Sequence, residues 1–74
     1  MNTAMLKYLV ELSNNEVDVI DHKAFFARFP EESCAHELYS LRDLGFITLL
    51  SGDDRICGIG VNKKAIDYLK KKSS

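Results

Sequence analysis

Four side chains in this sequence belong to the types that ligate metals or act as soft nucleophiles: His22, Cys34, His36 and Cys57. Structural zinc takes tetrahedral sets of cysteine and histidine at characteristic spacings, and Cys34-x-His36 is not one of them. On a helix, residues two apart differ by about 200° in direction, so Cys34 and His36 point to different sides. No metal site is expected. The cysteines read instead as small buried hydrophobes, neighbours in one core, with no disulfide between them. His22 reads as a half-buried structural residue beside an aromatic stripe. Acyl or phosphoryl chemistry finds no footing either. No nucleophile stands in a recognised elbow, Gly58-x-Gly60 leads into a strand end without a phosphate-loop pattern, and no carboxylate pair is spaced for acid–base work. Neither an enzyme nor a cofactor is expected. What is left is recognition, through the polar residues Ser33, His36, Tyr39 and Ser40 and the cations Arg42, Arg55, Lys63 and Lys64.

Those residues need a scaffold, and 74 residues allow only one. A chain this short buries roughly 60% of its unfolded surface, too little for two cores. With 46% apolar and 28% charged residues it suits a single folded domain spanning 1–74, with a disordered tail from about 72. No apolar run approaches the roughly 18 residues of a spanning helix, and the start lacks a secretion-signal layout, so a cytoplasmic protein is expected. Net charge is −1, but it is unevenly spread. Residues 1–45 carry four cations against eight carboxylates, a charge of −4, and residues 46–74 carry six cations against three carboxylates, a charge of +3.

Hydrophobic phase supplies the elements. Met5, Leu6, Leu9, Val10 and Leu12 recur at helical steps from Thr3 to about Leu12, with Ser13-Asn14-Asn15 as the stop. Their apolar arc is wider than one face needs, so the helix is either deeply buried or meets a partner, with Leu6 and Val10 as candidates for a dimer contact. Val17–Ile20 alternates as a short strand. Asp21 is positioned to cap a second helix carrying Phe25, Phe26 and Phe29, which Pro30 ends. A third helix over roughly 33–44 turns Cys34, Leu38 and Leu41 inward and leaves Ser33, His36, Tyr39, Ser40 and Asp43 outward, before Gly45 closes it. Residues 46–51 and 55–61 read as an antiparallel hairpin about Gly52-Asp53-Asp54. Its inward side is Ile47 and Leu49 against Cys57, Ile59 and Val61, and Gly58 and Gly60 leave room on the other face. Asn62 is placed to cap a last helix with Ala65, Ile66 and Leu69 inward and Lys70, Lys71 and Lys72 at its end.

This order resembles a winged helix-turn-helix domain, an α+β fold with a three-helix core, a short strand after the first helix, a two-stranded antiparallel wing and a C-terminal helix. Leu38-Tyr39-Ser40-Leu41-Arg42-Asp43-Leu44-Gly45-Phe46-Ile47 is similar to the family's passage from third helix into wing. Asn62-Lys63-Lys64-Ala65-Ile66-Asp67-Tyr68-Leu69 resembles the helix after the wing in small bacterial and mobile-element regulators. The resemblance implies a non-catalytic transcriptional regulator that binds double-stranded DNA. Ser33, His36, Tyr39 and Ser40 would then read base edges while Arg42, Arg55, Lys63 and Lys64 hold phosphates. The residues themselves also suit a winged-helix protein-interaction module that takes a basic partner on an acidic third helix, because Glu31, Glu32, Glu37 and Asp43 surround that element.

Overall fold

The computed structural model describes residues 2–53 and 55–73, so Met1, Asp54 of the hairpin turn and Ser74 of the tail lie outside the described residues. The elements run α1 (Thr3–Leu12), β1 (Val19–Ile20), α2 (His22–Arg28), α3 (Glu31–Asp43), β2 (Ile47–Gly52), β3 (Arg55–Val61) and α4 (Lys63–Ser73). The architecture is α+β, with four helices and one antiparallel sheet in the order β1-β3-β2.

Helix ends follow the local chemistry. The Asn2 side chain accepts from the Met5 N–H at 3.0 Å, and Asp21 accepts from the Lys23 and Ala24 amides at 3.0 and 3.4 Å, filling donors a helix start leaves unpaired. Phe29 takes an extended backbone (φ −120°, ψ 91°) ahead of Pro30, which ends α2. Pro30 also starts the next helix: its carbonyl accepts from the Ser33 and Cys34 amides at 2.9 and 3.1 Å. The third helix therefore begins at Glu31, two residues before the expected start, with Glu31 and Glu32 in the first turn, where the helix dipole favours carboxylates. At the other end Gly45 adopts φ 85°, the Gly45 N–H donates to Arg42 O at 2.9 Å and the Phe46 N–H to Leu41 O at 3.0 Å, a Schellman closure. Asn14, at φ 58°, closes α1 in the same way, with Asn14 and Asn15 donating to Glu11 and Val10 carbonyls. Helix α4 runs through Lys72 to Ser73, longer than expected.

Among the described residues sixteen apolar side chains are buried, drawn from all four helices and all three strands. Leu6 and Val10 are 0% and 2% exposed and sit inside this core. The wide apolar arc of α1 is consumed within the chain, and a dimer built on Leu6 and Val10 would have to empty the monomer's own interior.

The hairpin departs from a regular alternation. Leu50 pairs with Gly58 but Ser51 pairs with Ile56, so Cys57 is an extra residue, a β-bulge. The bulge shifts the phase of β3. Ile56, Ile59 and Val61 are buried, while Cys57 is exposed rather than inward beside Cys34. The room beside Gly58 is taken by the chain itself, since a Cβ there would lie 3.0 Å from Leu50 Cδ1, whereas a Cβ on Gly60 would meet nothing nearer than 3.7 Å.

Candidate functional site

The outward side of α3 carries Glu32, Ser33, His36, Tyr39, Ser40, Arg42 and Asp43 as exposed residues, with Glu37 half-buried among them. The helix reaches this pose because Cys34, Leu38 and Leu41 are buried. Its remaining face therefore turns to solvent along the whole length of the element. All four candidate base-reading residues thus share one exposed face. Tyr39 is 39% exposed and has the Arg42 guanidinium 4.9 Å from its ring centre.

The four candidate phosphate-holding cations behave differently from one another. Arg42 is paired with Asp43: Nη2 lies 3.1 Å from Oδ1, and Nε donates to the same oxygen at 3.3 Å. Both partners are well exposed, so the pair contributes at most ~1 kcal/mol to stability, but it cancels the one cation on α3. Lys64 Nζ donates to the Leu44 carbonyl and stands 5.2 Å from the centre of the Phe46 ring, capping α3 with a cation at its negative end. Lys63 is exposed at the start of α4. Arg55 opens β3 and lines a cleft with Phe26, Pro30, Glu31, Glu32 and Ala35, at the other end of α3. The four cations do not gather into one rim.

Two further anchors fix this region, and sequence reasoning missed both. Glu31 accepts from the Ile56 N–H at 3.3 Å, tying the first turn of α3 to the strand that carries the bulge. Asn62, expected as a helix cap, spends its side chain between elements: Nδ2 donates to Gly45 O at 3.2 Å and Oδ1 accepts from the Thr48 hydroxyl at 3.2 Å. Neither contact has a local sequence signal, because the partners are 14 to 25 residues apart.

Summed over its length, α3 carries one arginine against four carboxylates, −3, whereas α4 carries five lysines against Asp67, +4. Compared with protein-family models, curated proteins and solved structures, the chain matches none. Among the described residues no group of three or more His, Cys, Asp or Glu is placed to hold a metal ion, and no helix is long and apolar enough to cross a membrane. The Cys34 thiol donates to Phe29 O at 3.3 Å. Burial pushes its pKa up, a hydrogen bond from Cys34's own backbone N–H opposes that in part, and the nearby Glu31 carboxylate adds to the rise. This thiol is therefore held protonated and unreactive.

Proposed function

We propose that this chain is a winged-helix interaction module that docks a cationic surface of another protein against the acidic outer face of α3. The sheet order β1-β3-β2, with the β2–β3 hairpin directly after α3, supports the winged-helix assignment. One observation carries the choice of partner. The two cations nearest the exposed face, Arg42 and Lys64, are turned onto Asp43 and the Leu44 carbonyl, and with Arg42 and Asp43 neutralising each other Glu32 and Glu37 are left to set the sign of the potential. Duplex affinity comes chiefly from cations meeting phosphates, and a carboxylate about 4 Å from a phosphate costs roughly 1 kcal/mol even in water. A basic partner meets the opposite situation, gaining encounter rate and orientation from the same field.

The second reading is a small sequence-specific regulator of double-stranded DNA. Its support is that Ser33, His36, Tyr39 and Ser40 share the exposed face, with Lys63 and Lys64 following the C-terminal end of α3. One pair of measurements decides between the two. At low salt, a mixed-sequence duplex should give no mobility shift. A lysine- and arginine-rich peptide should move the amide resonances of residues 32–43, less so as salt rises and not in a Glu32→Gln, Glu37→Gln, Asp43→Asn variant. A salt-sensitive duplex shift would overturn the protein-docking reading in favour of DNA.

A further inference from the structure

The two edges of the sheet are finished differently. Edge β1 is two residues long, with Asp18 before it and Asp21 after it. The Val61 N–H donates to Asp18 O at 2.8 Å, so the Val19 N–H, one residue on, faces away from β3, and the Asp18 carboxylate takes it at 2.7 Å. Edge β2 runs six residues, Ile47-Thr48-Leu49-Leu50-Ser51-Gly52, with neither a charge nor a proline to guard it. The Asn62 N–H donates to Phe46 O at 3.0 Å and the pairing alternates from there, so the N–H and C=O of Ile47 and Leu49 turn away from β3. Among the described residues no side chain takes either N–H. The strand is apolar on both faces: Ile47 is buried, Leu49 half-buried and Leu50 53% exposed. A long, uncharged, apolar edge is a template for a further strand.

We propose that β2 pairs with β2 of a second copy of this chain, antiparallel about a two-fold axis at Leu49, which joins the two three-stranded sheets into one. In that register Leu49 exchanges both of its outward backbone hydrogen bonds with its own counterpart, and Ile47 lies against Ser51. Thr48 stands opposite Leu50 of the second copy on the open face. Leu49, left half-buried at the edge, is covered by its counterpart, and the exposed Leu50 by Thr48. Charge favours a copy of this chain over an unrelated strand. No like charges meet along β2, and the axis brings Asp53 of each copy to the other's Gly45 corner, where Lys64 lies against the glycine and keeps two N–H groups beyond the one spent on the Leu44 carbonyl. The contact is confined to one strand per copy, less than the roughly 800 Å² per partner of a standard interface, so the dimer is weak and concentration-dependent. Residues 47–53 lie outside α3, and the docking face is independent of this edge.

The test is the mass of the intact chain by light scattering, together with its amide spectrum, across a dilution series. The mass should rise from one chain to two over roughly a hundredfold rise in concentration, with shifts at residues 47–53 and none at 32–43. A Thr48→Lys, Leu50→Lys variant sets lysine against lysine across the axis and should lose about tenfold in self-association, whereas Thr48→Lys, Leu50→Glu sets opposite charges in the same places and should restore it to within about threefold of the parent. Both variants change exposed side chains and lose the Thr48 contact to Asn62 equally, and their spectra in dilute solution report whether the fold is kept. Should the double-lysine variant fail to fold, the site of the concentration-dependent shifts in the parent chain decides. A single-chain mass at every concentration, growth beyond two chains, shifts centred away from β2, or equal association of the two variants would overturn the proposal. A free peptide of residues 47–52 that moves these amides while the chain itself stays monomeric would also overturn it, assigning the edge to an extended segment of another protein.

Discussion

Replacing Lys64 by methionine tests the observation on which the choice of partner rests. Methionine keeps an unbranched apolar stem against Phe46 and removes the ammonium that caps α3 at Leu44. Three contributions disappear. A cation at a helix C-terminus is worth about 0.3–1 kcal/mol, a cation beside an aromatic ring at an exposed site about 0.5–1 kcal/mol, and the hydrogen bond to the carbonyl is replaced by one to water. Because Lys64 is exposed, solvent screens all three, and they overlap, so the expected loss is about 1 kcal/mol. In a domain this small that lowers the melting temperature by roughly 4–8 °C. Lys63→Met is the control, since it removes the same charge one residue away and should stay within ~0.5 kcal/mol of the parent. Urea unfolding of both variants at low and high salt is the assay, with the difference between them shrinking as salt rises. Equal stability of the two would refute the cap. Lys64 would then be free for phosphate, and the argument against duplex binding would lose half of its support.

Two further outcomes follow from burial. Leu6→Ala should cost about 2–5 kcal/mol, with a fall in urea midpoint and no change in the mass seen by light scattering, whereas a lower mass at unchanged stability would revive α1 as a dimer contact. A thiol reagent should label Cys57 quickly and Cys34 only on unfolding. The raised pKa of Cys34 adds a pH signature. Its stabilising contribution is fully present below the thiol's unfolded-state pKa and is lost as pH rises through the higher folded value. Stability should therefore fall on the alkaline side of about pH 9, less steeply in Cys34→Ala, and a parallel decline in both proteins would contradict the assignment.

The elements that sequence reasoning located well are those whose signals are local. Asp21, Pro30, Gly45 and the Ser13-Asn14-Asn15 stop each act on hydrogen bonds within a few residues of themselves, so their effects are visible in the sequence alone. Cys57 shows the limit. Alternation along β3 placed it inward, but the insertion of one residue opposite Leu50 and Ser51 is decided by how β2 fits against β3, and that fit has no signature in either strand separately. The α3 face was legible for the same reason as the helix ends, since Leu38 and Leu41 fix its phase. The employment of its cations was not. Asp43 was visible as a neighbour for Arg42, but the Leu44 carbonyl comes within reach of Lys64 only after the intervening hairpin has folded and brought together residues twenty apart in sequence.

The corner at Leu44–Phe46 sets the angle at which α3 presents its outer face relative to the hairpin, and four independent restraints converge on it. The left-handed Gly45 turns the chain, the Schellman bonds tie it back to α3, the Asn62 amide holds the Gly45 carbonyl, and Lys64 holds the Leu44 carbonyl. Two of these donors come from the segment that leads into and opens α4, so the last helix braces the third. A surface that recognises another molecule gains affinity when its geometry is fixed beforehand, because less ordering remains to be done on binding. The same bracing gives the cations a structural reason to be near α3 that owes nothing to phosphate. On the docking reading proposed above, Glu32 and Glu37, fixed by that corner, would meet a basic surface as a rigid, directional acceptor.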